Sequence, residues 1–264
     1  MKVAILIPAR FASSRFPGKP LVELRGVGGI AKPLIQRSFE AASRVSGIDA
    51  VHIVTDDQRI ADAAATFGAA VIMTSEGARN GTERCAEALD ALDDPDLVIN
   101  FQGDALLTPP SFVTALIGQM RASDSAVATP AMRLTSDEVR ALQAEEAAGR
   151  VGGTSVVTDA AGRALYFSKR LIPHLPEGAL GKNISPIRLH VGVYAYRPDA
   201  LATYVAAPPS ELELLEGLEQ LRFLDQGIAI DVVEVETPPF VLRELNNPAD
   251  VAPIEAALAA ANIA

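Results

Sequence analysis

Residues 2–20 read Lys-Val-Ala-Ile-Leu-Ile-Pro-Ala-Arg-Phe-Ala-Ser-Ser-Arg-Phe-Pro-Gly-Lys-Pro. The apolar run over 2–7 stops at Pro8, the pattern of a short strand buried on both faces. The stretch after it is polar and constrained: Arg10, Arg15 and Lys19 bring charge, Ser13 and Ser14 hydroxyls, and Pro17, Gly18 and Pro20 shape the turn. Guanidinium forks grip pairs of oxygens, an ammonium acts as a point charge, and loop N–H groups complete a cradle, so these residue types suit a phosphate chain. Neither common phosphate loop is present: there is no Gly-x-x-x-x-Gly-Lys-Ser/Thr, and no Gly-x-Gly-x-x-Gly comes after the first strand. Gly26-Val27-Gly28-Gly29 follows no strand end and reads as a turn.

Outward from this loop, strands and helices alternate. Apolar runs over 50–54, 69–73 and 97–101 read as strands. Between them the spacing predicts a helix opening at Pro33, a helix to Phe67 ended by Gly68, and a helix over 82–92 with Thr82 or a neighbour as cap. A further helix runs from Pro109-Pro110-Ser111 to about Arg121. This order predicts an α/β, three-layer, Rossmann-like fold with a mostly parallel sheet. The second half is mixed. Strands are expected over 126–132, 155–158, 164–167, 190–196 and 228–236, and helices over 136–148, 212–226 and from Asn247-Pro248 onward. No composition break marks a linker, so residues 1–264 are expected to form a single domain with a β-rich elaboration in the second half. In such sheets ligands collect at the carboxyl ends of strands. Three polar segments lie there: 8–20, Thr55-Asp56 and Gln102-Gly103-Asp104. An acid after Gln-Gly at a strand end marks Asp104 as functional, whereas Asp56 reads first as a helix cap.

Composition narrows the function classes. The chain has 264 residues, 49% hydrophobic and 21% charged, with no Trp, so its core must be mainly aliphatic. Cys85 is the single cysteine; no intramolecular disulfide can form, and the thiol reads as structural in a reducing compartment. The N-terminal apolar run is too short for a signal peptide, and nothing approaches the ~20 apolar residues of a membrane span, so a cytoplasmic protein is expected. A net charge of −10 argues against a nucleic-acid backbone binder. Yet residues 1–37 hold Lys2, Arg10, Arg15, Lys19, Arg25, Lys32 and Arg37 against Glu23 alone, a local +6. That excess fits either a solvated basic surface or a pocket for a small polyanion.

The ordered pattern Pro8-Ala9-Arg10, Ser14-Arg15 and Pro17-Gly18-Lys19-Pro20-Leu21 resembles the signature loop of 3-deoxy-manno-octulosonate cytidylyltransferases. The resemblance continues through Val54-Thr55-Asp56, Gly81-Thr82-Glu83-Arg84, Val98-Ile99-Asn100-Phe101-Gln102-Gly103-Asp104 and Ala164-Leu165-Tyr166-Phe167-Ser168. It closes with His190-Val191-Gly192-Val193-Tyr194 and Leu218-Glu219-Gln220-Leu221-Arg222. It implies a nucleotidyltransferase fold, usually a homodimer, that uses CTP, Mg²⁺ and an acidic eight-carbon sugar, with a place in lipopolysaccharide or capsule synthesis. It also implies site roles, carried over position by position. Pro8, Ala9, Arg10, Arg15 and Lys19 would meet the triphosphate, with Arg10, Lys19 and Asp104 catalytic. Asn80, Gly81, Thr82 and Gln102 would form the nucleotide pocket, Asn80 standing where Ser is commoner. Gln102, Lys169, His190, Tyr194, Glu219 and Gln220 would meet the sugar acid, Lys169 replacing a common Arg. Asp104 and Asn246 would hold Mg²⁺.

The main departure is Asn246 in Leu245-Asn246-Asn247-Pro248-Ala249-Asp250, where the family commonly has an Asp as second metal ligand. An amide oxygen can still bind Mg²⁺ but lacks a carboxylate's charge, so an altered metal site or an altered sugar is expected. The residues following Asp104, Ala105-Leu106, also depart from the usual acid and proline. Two plainer roles stay open: His190 as a satisfied strand histidine and Glu219 as a solvated acid. Two other functions stay open as well, a cytidylyltransferase for another acid (an 8-amino analogue, a nonulosonate or a phosphonate) and a catalytically impaired nucleotide-binding relative.

Overall fold

β1 (Val3–Ala9) carries the N-terminal apolar run and is buried along almost its whole length. Its alternate residues serve two different cores. Val3, Ile5 and Ile7 pack with Ile99 and Phe101 on one face, while Leu6 packs with Val98, Cys85, Leu201 and Phe223 on the other. A strand with period-two side chains and two apolar faces needs a helix layer on each side, which makes three layers. The computed structural model describes residues 1–12, 16–176, 178–181 and 184–263.

A short hairpin of β2 (Glu23–Arg25) and β3 (Ala31–Pro33) comes next, with the glycine-rich turn at its tip, and then α1 (Leu34–Ser43). β4 (Ala50–Thr55), α2 (Gln58–Thr66), β5 (Ala70–Met73), α3 (Gly81–Glu87), β6 (Leu97–Phe101) and α4 (Pro110–Ala122) complete the alternating half. The second half runs β7 (Val127–Thr135), α5 (Ser136–Ala147), β8 (Ser155–Thr158), β9 (Ala164–Ser168), β10 (Ile184–His190) and β11 (Val193–Tyr196). It ends with α6 (Pro198–Ala206), α7 (Glu211–Glu216), α8 (Leu221–Asp225), β12 (Ile230–Val235) and α9 (Val251–Ala260).

Ten of these strands form one sheet in the order β5-β4-β1-β6-β11-β7-β10-β8-β9, with β12 beside β7. β5, β4, β1 and β6 are mutually parallel, as the alternation predicts, and β12 is parallel to β7. The elaboration from β6 through β11, β7, β10, β8 and β9 is antiparallel. β4 lies on one side of β1 and β6 on the other, so the strand order reverses at β1 and opens a crevice at its carboxyl end. Among the described residues no helix is long and apolar enough to cross a membrane.

Three expected elements differ from the observed ones. The strand expected over 190–196 is interrupted at Val191-Gly192, where β10 gives way to β11; both run antiparallel to β7 in the same direction, and two extra residues bulge between them. The helix over 212–226 is broken into α7 and α8 by Gly217, whose φ of 61° ends α7 in the left-handed conformation. The helix over 82–92 is α3 plus a 3₁₀ turn over Ala88–Ala91, and its cap is Asn80, a near neighbour of Thr82. Asp56 is not the cap of α2 either. Asp57 takes that role by accepting from Arg59 N, and Asp56 pairs with the buried Arg84 at 3.1 Å. Cys85 is fully buried and burial pushes its thiol well up, which suits a structural residue.

Candidate active site

β1 and β6 end side by side, and their ends meet unusually closely. A Cβ on Gly103 would lie 2.6 Å from the Pro8 carbonyl oxygen, so only glycine lets the turn after β6 sit against Pro8 and Ala9. Ser38 Oγ of α1 donates to Gly103 O at 2.8 Å and fixes that turn from below. The loop after β1 is pinned at its base, with Gly18 N donating to Phe11 O at 3.0 Å. Lys19 thereby returns to the strand ends, and its Nζ donates to Asp104 Oδ2 at 2.6 Å with both side chains mostly buried. Two residues that the sequence separates by 85 positions thus form one charged pair. Arg10 stands exposed at the end of β1. Arg15 lies outside the described residues.

The residues expected to form a nucleotide pocket cluster at the start of α3. Asn80 caps that helix, its Oδ1 accepting from Glu83 N at 2.8 Å, while its Nδ2 donates to Tyr204 Oη at 2.9 Å. Ser and Asn are both strong N-caps, which explains how this chain carries Asn there. Thr82 Oγ1 meets Tyr196 Oη at 2.9 Å. Gly81 faces Gln102 and Pro8, with Asn100 of β6 beneath; a Cβ there would lie 3.2 to 3.3 Å from all three side chains.

The residues expected to meet a sugar acid come from the antiparallel half, from the turn between α7 and α8 and from the segment before α9. Glu219 is no free surface acid: it accepts from Thr82 N at 3.1 Å and from Gln102 Nε2 at 3.3 Å. Burial raises its pKa above the usual carboxylate range, opposed by these hydrogen bonds and reinforced by the nearby charge of Glu213. Gln220 Oε1 accepts from Tyr194 Oη at 3.1 Å. His190 Nε2 meets Thr129 Oγ1 at 2.8 Å, and its ring sits edge-on to Phe167. Burial pushes the His190 pKa down to about 3, so the ring is neutral at pH 7 and its geometry is that of a satisfied strand histidine. Lys169 is exposed, and its Nζ reaches over Gly217, 2.8 Å from where a Cβ would stand. Asn246 lies on the irregular segment before the final helix, its Nδ2 donating to Glu244 Oε2 at a long 3.5 Å.

Three features had no role assigned from sequence. Asn100 is fully buried, and both of its amide atoms lack a protein partner, a cost that water or a bound group would relieve. Its position two residues before Gln102 on the same strand face was the available signal. Arg222 is fully buried and links Glu213 (2.7 and 2.6 Å) to Glu83 of α3 (3.1 Å), with its guanidinium 3.9 Å from the centre of the Tyr204 ring. This network ties the α7–α8 turn to α3; a helical pattern cannot reveal it, because its partners lie on three separate elements. Glu244 is the third.

Asp104 and Asn246 offer only oxygen donors, the set that Mg²⁺ prefers, and Asp104 already holds a cation in Lys19. Among the described residues no group of three or more His, Cys, Asp or Glu side chains forms a metal cage. An ion that shares nucleotide phosphates needs only one or two carboxylates, so these donors fit it.

Residues 4–230 match the family described as Cytidylyltransferase. The chain is 41% identical over 262 residues to the 3-deoxy-manno-octulosonate cytidylyltransferase of Maricaulis maris (strain MCS10), covering 98% of each. It is 37% identical over 263 residues to the mitochondrial 3-deoxy-manno-octulosonate cytidylyltransferase of Arabidopsis thaliana, covering 99% of this chain and 85% of that one. Among solved structures, a CMP:2-keto-3-deoxy-manno-octonic acid synthetase complexed with CTP aligns with a TM-score of 0.82 at 35% identity, over 97% of this chain and 98% of the other.

Proposed function

We propose that this chain, which belongs to the cytidylyltransferase family and within it to the 3-deoxy-manno-octulosonate cytidylyltransferases, transfers CMP from CTP to 3-deoxy-manno-octulosonate. The observation that carries this reading is the junction of β1 and β6. There the Lys19–Asp104 pair, the Pro8–Gly103 contact and the Gln102–Glu219 bond join a phosphate loop, an acid and a sugar-end turn.

In the reaction a sugar hydroxyl oxygen bonds to the α-phosphorus of CTP, the α–β bridging P–O bond breaks, and pyrophosphate leaves with the bonding electron pair. No covalent protein intermediate is needed, so catalysis rests on positioning and on charge stabilisation. Arg10, Arg15 and Lys19 meet the β- and γ-phosphates and stabilise charge growing on the leaving group. Asn80, Gly81 and Thr82 present the start of α3 to the nucleoside, and Gln102 stands between nucleotide and sugar. Glu219, Gln220, Tyr194 and Lys169 orient the acidic sugar, with His190 as a neutral wall beside Tyr194. Asp104 and Asn246 would hold Mg²⁺, which when bound neutralises phosphate charge and lowers the pKa of the attacking hydroxyl.

The exposed leucines of α7, Leu214 at 70% and Leu215 at 75%, support a homodimer closing on that face; a monomeric mass in sedimentation would contradict it. Composition supports a cytoplasmic enzyme, and the acceptor supports a place in envelope polysaccharide synthesis.

The test is pyrophosphate release with each of the four nucleoside triphosphates, Mg²⁺ and a panel of acidic sugars. Turnover is expected with CTP and 3-deoxy-manno-octulosonate together. Turnover with CTP and a different acid alone would replace the acceptor, a second reading favoured by Lys169 standing where the family commonly has Arg. Tight CTP binding without turnover on any acid would make the chain a nucleotide-binding relative.

A further inference from the structure

Asn246 leaves the family's second metal position without a carboxylate, and the same segment carries an acid two residues earlier. Leu245 is fully buried and packs with Leu106 and Leu107, which come shortly after Asp104. On either side of Leu245 the side chains of Glu244 and Asn246 meet, Asn246 Nδ2 donating to Glu244 Oε2 at 3.5 Å. The nearby acid Asp250 is committed elsewhere, its Oδ2 accepting from Asn246 N at 2.9 Å and Asn247 N at 2.6 Å. Glu244 reaches the strand ends. Its Oε1 lies 3.6 Å from the point where a Cβ on Gly192 would stand, and Gln102 Cγ lies 3.8 Å from that same point. Its charge is also felt inside the sugar site, where burial first, then Glu219, Tyr204 and Glu244 raise the Tyr194 pKa.

We propose that Glu244 supplies the second carboxylate for the divalent cation in this chain, with Asn246 contributing through its amide. This rests on the cytidylyltransferase reading and deepens it: the negative charge has moved two residues along the segment rather than disappeared. Mg²⁺ accepts hard oxygen donors from one or two carboxylates, and affinity for such ions follows the number of ligand charges.

Mn²⁺ binding, read by electron paramagnetic resonance and water-proton relaxation, tests this on the protein saturated with a CTP analogue whose α–β bridge is methylene. Glu244→Gln should weaken Mn²⁺ about tenfold without changing the circular dichroism spectrum. Adding Asn246→Asp to that variant should restore the affinity. If Asp104→Asn lowers Mn²⁺ affinity and Glu244→Gln does not, the inference fails and the function reading stands. If Glu244→Gln only raises KM for the sugar acid, Glu244 is a sugar contact and the inference likewise fails. If neither variant changes Mn²⁺ affinity, the metal assignment itself is wrong.

Discussion

The two ends of the site, the one proposed for phosphate and the one proposed for sugar, are built in different ways. At the phosphate end, Pro8, Ala9 and the Gln102-Gly103-Asp104 turn sit on the ends of β1 and β6, two neighbouring parallel strands fully embedded in the core. At the sugar end, Glu219 and Gln220 lie on a turn between two short helices, His190 and Tyr194 flank the bulge between β10 and β11, and Asn246 lies on the irregular segment before the final helix. Backbone register alone places the first set. The second is placed by side chains bonding to one another across the sheet and through the Arg222 network. A site divided in this way can keep its triphosphate chemistry while its sugar and metal ends drift, and Lys169, Asn246 and Glu244 all fall on the drifting side.

The largest effect expected from breaking this arrangement is at Arg222. Arg222→Ala leaves Glu213 and Glu83 buried without their cation and should cost about 3–5 kcal/mol of stability. The midpoint of thermal unfolding should then fall by about 6–20 °C for a chain of this size. A shift of a degree or two would mean that the network does not hold the two ends together.

Next comes the phosphate end. Asp104→Asn should leave the fold intact and lower kcat on the order of 10²–10³-fold, the range for losing one group that stabilises transition-state charge. Circular dichroism beside steady-state pyrophosphate release checks both parts, and near-normal turnover would refute the role given to Asp104.

The smallest effect is a pH dependence confined to the sugar end. Above pH 6.5 His190 is neutral in both folded and unfolded chains. As pH falls from 6.5 toward 3, the unfolded chain takes up a proton that the buried native ring refuses, so stability is lost by up to about 1.4 kcal/mol per pH unit. In urea unfolding between pH 7 and pH 4.5, His190→Gln should flatten that slope. An unchanged slope would show that the ring titrates normally.

The same division decides what could be read from the chain in advance. The parallel half was legible because each strand is an apolar run ended by a turn signal, and Asp104 follows from its place after Gln102-Gly103. Period alone could not split the helix over 212–226, because Leu212, Leu215, Leu218 and Leu221 keep helical spacing through Gly217 and only that residue's left-handed backbone breaks it. Nor could it find the bulge at Val191-Gly192, where no polar residue marks the two extra residues between β10 and β11. Asn100 and Arg222 stood inside recognisable blocks, yet their value lies in partners brought from distant elements. Burial and distance reveal it.

The central claim is that the β1–β6 junction performs cytidylyl transfer to an acidic sugar. The direct measurement is pyrophosphate release from CTP with Mg²⁺ and 3-deoxy-manno-octulosonate, alongside ATP, GTP and UTP as controls. Turnover with CTP should require both the metal and the sugar acid, and the other three nucleotides should give little. Equal turnover with another nucleotide, or none with CTP on any acid, would contradict it.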